Sequence, residues 1–145
     1  MQQFLIAIAL LFTSYLVAQT SVAQKVTENG QTIKVTVPNA LTDAGTIKFS
    51  IHTKDSFLKM EPLQSQSSAV KNGVGTVVFT NIPTGEYAIV CFHDENENGK
   101  MDFELNGMPK EAFGASNNVM NFGPPQFETS KFEVKNENLD IEIKF

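Results

Sequence analysis

Apolar and polar residues alternate along much of this chain, and the alternation has a period of two. From Thr32 to Val37, Ile33, Val35 and Val37 fall on one side, with Thr32, Lys34 and Thr36 on the other. That spacing is the signature of a half-buried strand. Pro38-Asn39 ends it. Gly45 to His52 repeats the pattern, with Ile47, Phe49 and Ile51 opposite Lys48, Ser50 and His52. The two runs predict neighbouring antiparallel strands, with His52 on the solvated face. Lys54 to Ser68 loses the alternation and reads as a polar loop, anchored by Phe57, Leu58, Met60 and Leu63.

Val70 is placed to start a short strand, and Asn72-Gly73 signals a tight turn. Gly75 to Thr80 is a further strand, rich in Val and Phe, and Asn81 to Gly85 turns the chain. Glu86 to His93 is the most apolar run: Tyr87, Ile89 and Cys91 face one way and Ala88, Val90 and Phe92 the other. Apolar residues on both faces predict a central strand. Asp94 to Gln126 reads as irregular. Phe127 to Val134 and Leu139 to Phe145 alternate again around an Asn136-Glu137-Asn138 turn, and Ile141, Ile143 and Phe145 are expected to face the core. Six or seven short strands without a helix predict an all-β fold, a single antiparallel β-sandwich.

Composition adds an address. The first 23 residues carry no charged side chain, and Phe4 to Leu11 is a nearly unbroken apolar run. Ser21-Val22-Ala23 followed by Gln24 resembles a small-residue cleavage site. The apolar part is shorter than the roughly 20 residues a spanning helix needs. The expected organisation is a signal peptide over residues 1–23 and one domain over residues 24–145, exported to the periplasm or beyond the cell, with no membrane insertion after cleavage. Leu16-Val17-Ala18 offers a second cut. All 11 basic residues are Lys, and the formal net charge is −5. Bidentate reading of phosphate is mainly arginine work, so nucleic acid is excluded as a partner. The single cysteine, Cys91, sits in the central apolar run and is expected as core. Acids follow it closely, which disfavours a reactive thiolate.

One segment carries candidate chemistry. Asp94-Glu95-Asn96-Glu97-Asn98-Gly99-Lys100-Met101-Asp102 reads D-x-N-x-N-G-x-x-D. Calcium loops supply oxygens from alternate positions around a glycine turn, because a hard cation collects six to eight oxygens. The ligands here would be Asp94, Asn96, Asn98, the carbonyl of Lys100, and Asp102, with Gly99 as the turn. Leu105 stands where an EF-hand has its bidentate Glu, and no helices flank the loop, so it is not an EF-hand. Between Asp94 and Glu104 five acids face one lysine, a local charge of −4. An acidic hairpin turn that is merely solvated explains the same residues, as does another metal. His93 adjoins the loop, but zinc asks for three or four ligands, and a strand-end histidine with its partners satisfied is the simpler reading. Phe103, Phe113 and Phe122 are expected to anchor the following loop onto the core.

Phe92 to Asp102, Gly107-Met108-Pro109-Lys110-Glu111, Phe113 to Asn118 and Phe122 to Phe127 together resemble the DUF2141 family. Its members are exported bacterial proteins of unassigned function. The resemblance spans essentially the whole chain after residue 23. Ile82-Pro83-Thr84-Gly85-Glu86-Tyr87 is similar to prealbumin-like (transthyretin-like) sandwich modules, which implies a fold and no activity.

These readings point to an exported, non-enzymatic binding or structural module with a calcium loop and a protein or glycan partner. The alternative is a periplasmic hydrolase acting on cell-wall or glycan material through Asp94 and Asp102. Addition of a strand to a partner's sheet edge is a third reading. Gly114-Ala115-Ser116-Asn117 lacks the second glycine of a nucleophile elbow.

Overall fold

The computed structural model describes residues 30–119 and 123–145. The signal peptide, its cleavage site and Phe122 lie outside the described residues. Eight strands are found among the described residues: β1 (Gln31–Val37), β2 (Thr46–His52), β3 (Gln64–Ala69), β4 (Gly75–Ile82), β5 (Gly85–Asp94), β6 (Phe113–Ala115), β7 (Phe132–Val134) and β8 (Leu139–Glu142). One sheet has the order β4-β1-β8. The other runs β3-β2-β5-β6, with β7 pairing the first residues of β5. All pairings are antiparallel except β1 with β8. The expected all-β sandwich is therefore present.

The alternating residues meet between the sheets. Ile33, Val35 and Val37 of β1 pack with Ile47, Phe49 and Ile51 of β2, with Phe79 of β4, and with Ile89 and Cys91 of β5 in one buried cluster. Each such side chain contributes roughly 1.5–3 kcal/mol by leaving water. Ile143 is fully buried beside them, and Phe145 packs against the cluster.

Four expectations need correction. β1 and β2 are not neighbours: they lie in different sheets and face each other across the core. Alternation reports which face is buried and is silent about the partner. β3 falls within the stretch read as a loop, because its sequence, QSQSSA, has no apolar face. It holds its place with side-chain amides: Gln64 Nε2 donates to Thr80 O at 2.8 Å and Gln66 Nε2 to Val78 O at 2.7 Å. These bonds tie β3 to the edge of β4 in the other sheet. Of the four anchors proposed before it, only Phe57 is buried; Leu58, Met60 and Leu63 are exposed. Phe127–Ser130 is a short helix, α1, and not the start of a strand. Phe127 nevertheless packs, closing a second small cluster with Phe57 and Ala88 on the outer face of the β5 sheet.

The Asn72-Gly73 turn is present. Asp43 clamps it, accepting from Asn72 N at 2.9 Å and Gly73 N at 2.8 Å. The Gly73 and Asn72 amides hold the Asp43 carboxyl below its usual pKa.

Candidate functional site

β5 is central, as its sequence demands, and its last residue is Asp94. Thr46, the first residue of β2, pairs with Asp94. The preceding residue, Gly45, has φ of +66°, and a Cβ there would lie 2.1 Å from the Asp94 carbonyl oxygen. Only glycine permits this close approach, which fixes where the acidic loop leaves the sheet.

Asp94 is fully buried. Its Oδ1 accepts from Asn98 N at 3.0 Å and its Oδ2 from Gly99 N at 2.9 Å. Lys48 Nζ stands 3.8 Å from Oδ2. Asn96 Oδ1 accepts from Asn98 N at 3.1 Å, and Asn98 Oδ1 from Lys100 N at 2.8 Å. The amides of Asn96 and Asn98 then converge on one atom: their Nδ2 groups donate to Asp102 Oδ2 at 2.7 and 2.9 Å. Asp94, Asn96, Asn98 and Asp102 are thus brought together. Lys100 joins through its backbone N–H. Gly99 has φ of +78°, as a turn glycine should.

The segment beyond is more regular than its composition suggests. Lys110 N donates to Asp102 O at 2.9 Å and Glu104 N to Met108 O at 2.7 Å, around a turn closed by Gly107 N to Glu104 O at 2.9 Å. This is a miniature hairpin. Its sequence signal was Asn106-Gly107, a tight-turn dipeptide. The hairpin returns Glu111 to the loop, where Glu111 Oε2 accepts from Asp102 N at 3.1 Å. Glu111 Oε1 is buried with no hydrogen-bond partner. An unpartnered buried carboxylate oxygen is costly. Sequence reasoning missed Glu111, which is 17 positions beyond Asp94 and reaches the loop only through the hairpin. Among the described residues no three His, Cys, Asp or Glu side chains gather closely enough to hold a metal unaided, so any cation here would depend on the two asparagines.

The other candidates resolve into structural roles. His93 is fully buried, its Nε2 donates to Ala44 O at 2.7 Å, and its ring stacks on Phe145; it is not fully satisfied as expected, because Nδ1, 3.6 Å from Glu95 Oε1, has no hydrogen-bond partner. His52 is not solvated as expected but buried. Phe57 meets its ring edge-on, and the turn after β2 folds over it so that Nδ1 donates to Ser56 O at 3.1 Å. Desolvation lowers its pKa, partly offset by the Ser56 carbonyl. The two histidines sit on opposite faces of their sheet. Cys91 is core, and burial pushes its thiol pKa far up. Ser116 is a buried strut: it accepts from Ile89 N at 3.0 Å and donates to Ser130 O. Phe103 and Phe113 do not anchor into the core. They remain partly exposed and line a cavity of about 760 Å³ on the outer face of the β5 sheet, with no acidic side chain among its described lining residues.

The family model for an uncharacterized protein conserved in bacteria (DUF2141) matches residues 35–142. The chain belongs to the DUF2141 family. The matched stretch begins inside β1 and ends on the last residue of β8, so the residues of the acidic loop, of the miniature hairpin and of the cavity wall fall within it. No curated protein and no solved structure matches the chain. No helix among the described residues is long and apolar enough to cross a membrane.

Proposed function

We propose that this DUF2141 protein is an exported, non-enzymatic binding or structural module whose Asp94–Asp102 loop holds a calcium ion. The observation that carries the reading is the Glu111 carboxylate, set against the loop with one oxygen buried and unpartnered. A cation satisfies that oxygen, and it supplies the acid that the sequence lacks at the EF-hand position. Two amide donors converge on Asp102 Oδ2, and a bound cation would take their place at that oxygen. Asp94, Asn96, Asn98, Asp102, the Lys100 carbonyl and Glu111 all offer oxygen, which a hard cation prefers; since no three of the acids lie close together as they stand, the side chains would have to draw in around the ion. Bound there, the ion would offset the local charge of −4 and fix the hairpin that follows.

Export is supported by the uncharged apolar run that ends in Ser21-Val22-Ala23. The non-enzymatic reading is supported by the engagement of Asp94 with backbone amides, and by the burial of Cys91 and Ser116. The partner is a protein or glycan, and the absence of arginine argues against nucleic acid.

The test is thermal unfolding of the mature protein with calcium, with magnesium and with chelator. A ligand at 100 times its dissociation constant stabilises by about 2.7 kcal/mol. Calcium should raise the Tm, magnesium less. Asp94→Ala should abolish the response, and Glu111→Gln should weaken calcium binding about tenfold. An unchanged Tm in the parent protein would make the loop an ordinary acidic turn.

A further inference from the structure

The cavity on the outer face of the β5 sheet has a use that the calcium loop does not explain. Its floor is Val90 and Phe92, which point away from the core. Phe113, paired to Phe92, forms one wall, and the miniature hairpin supplies Phe103 and Met108. Pro124 also lines it. The volume of about 760 Å³ lies within the range of small-molecule sites, roughly 300–1,000 Å³. Phe103 and Met108 are 56% and 61% exposed. Holding such apolar side chains in solvent around a preformed hollow is unfavourable unless something covers them.

The polar side chains among its described lining residues are Ser50 and His52, and both also line a second depression of about 480 Å³ with Lys48, Ser65 and Ser67. Ser50 and His52 occupy each other: the Ser50 hydroxyl donates to His52 Nε2 at 3.0 Å, while Nδ1 is held by Ser56 O. The groups left to meet a ligand are the hydroxyls of Ser65 and Ser67 and the ammonium of Lys48. Among the described residues Lys48 is the one cationic side chain lining either hollow; it pairs with Asp94 at 3.8 Å, but the Asp94 carboxylate is also held by the Asn98 and Gly99 amides. The two hollows share Ser50, His52 and Phe92, and Lys48 is the cross-strand partner of Phe92; an apolar chamber adjoining a lysine and hydroxyls is complementary to an amphiphile with an acidic head. A peptide would need partners for its own amides, which the apolar chamber does not offer.

We propose that this cavity binds a free single-chain amphiphile with a carboxylate head, a long-chain fatty acid, with the chain among Val90, Phe92, Phe103, Met108 and Phe113 and the head at Lys48. Flexible methionine and rigid proline walls suit a chain that enters in several conformations. The proposal does not depend on calcium and is tested with chelator present.

The mature protein is titrated with dansyl-undecanoate, followed by displacement with palmitate, hexadecanol and hexadecyltrimethylammonium below their micelle concentrations. Saturable one-to-one binding is expected, with palmitate displacing best and the cationic amphiphile weakest. Lys48→Gln should weaken palmitate about tenfold and leave hexadecanol unchanged, since only the charged head loses a partner. Met108→Glu, at an exposed position that the fold tolerates, should weaken all chain ligands about tenfold or more by burying a charge against them. Absence of saturable binding overturns the proposal, and so does equal affinity for anionic and cationic heads. Two other occupants would overturn it as well. One is a second copy, seen as a concentration-dependent dimer that Met108→Glu abolishes. The other is a membrane surface, seen as sedimentation with anionic phospholipid vesicles by a protein that does not bind free palmitate.

Discussion

Replacing Gly45 by alanine should cost this domain far more than the same change at Gly99, although both glycines have positive φ. At Gly99, φ is +78° and a Cβ would meet nothing within 4 Å. The cost there is conformational only, about 1 kcal/mol. At Gly45 the new methyl would stand 2.1 Å from the Asp94 carbonyl oxygen and 2.6 Å from Glu95 Cα. Both obstacles are backbone, so neither can rotate aside. Relief requires the end of β5 and the start of β2 to separate by roughly 1 Å, which is at the limit of what a packed interior accommodates. That movement drags the Asp94 carboxylate away from Asn98 N and Gly99 N, two bonds worth about 1 kcal/mol each. With the conformational cost, the total is about 3–5 kcal/mol, a large share of the 5–15 kcal/mol typical of a domain. At about 3–6 °C per kcal/mol, Gly45→Ala should lower the Tm by about 10–25 °C, and Gly99→Ala by about 5 °C. Circular dichroism melts of the two variants and the parent decide the matter. Equal melting temperatures for the two variants would refute the claim that contact between Gly45 and Asp94 sets the loop.

Cys91 should resist a thiol reagent in the native protein and react fully in denaturant, because it is buried and its thiol is held protonated; rapid native labelling would contradict its placement. Burial keeps His52 below its ordinary pKa of 6.5, so the unfolded chain binds a proton first as pH falls. Its contribution to stability is therefore complete above pH 6.5 and is lost as pH drops below that value and through the lower folded pKa. Denaturant titrations across this range should show the decline, and His52→Asn should flatten it. Mass spectrometry of exported protein should find the mature chain starting near Gln24; an intact Met1 would count against the signal peptide.

What the sequence revealed of the fold follows from what alternation encodes. Ile33, Val35, Val37, Ile47, Phe49 and Ile51 announce their buried face, and both-sided apolarity placed β5 in the centre. Pairing is a different quantity. Nothing in β1 or β2 says that they belong to separate sheets, because a buried face is equally satisfied by either arrangement. β3 was illegible for another reason. Its stability comes from Gln64 and Gln66 reaching the β4 edge, and polar strands held by side-chain amides have no hydrophobic period. His52 was misplaced because its face is only partly covered along most of β2 and is buried at this end, by Phe57 and the turn at Ser56. At the site, the local pattern gave Asp94, Asn96, Asn98 and Asp102, all within nine residues. Glu111 stayed hidden because its approach depends on the Asn106-Gly107 hairpin. The cavity was hidden too, since an aromatic residue in a Gly/Pro-rich stretch reads as an anchor, and the exposure of Phe103 and Phe113 is not encoded in their spacing.

Calorimetric titration of calcium into chelator-stripped mature protein tests the central claim most directly. Two ligand positions are asparagine, and the added acid comes from outside the loop, so affinity should resemble that of extracellular calcium modules, roughly 10⁻⁴–10⁻³ M. One site is expected per chain, with little heat from magnesium and none from calcium with Asp94→Ala. No heat from calcium in the parent protein, together with an unchanged melting temperature at about 10 mM calcium, would contradict the account and leave Asp94 as the cap of a solvated turn.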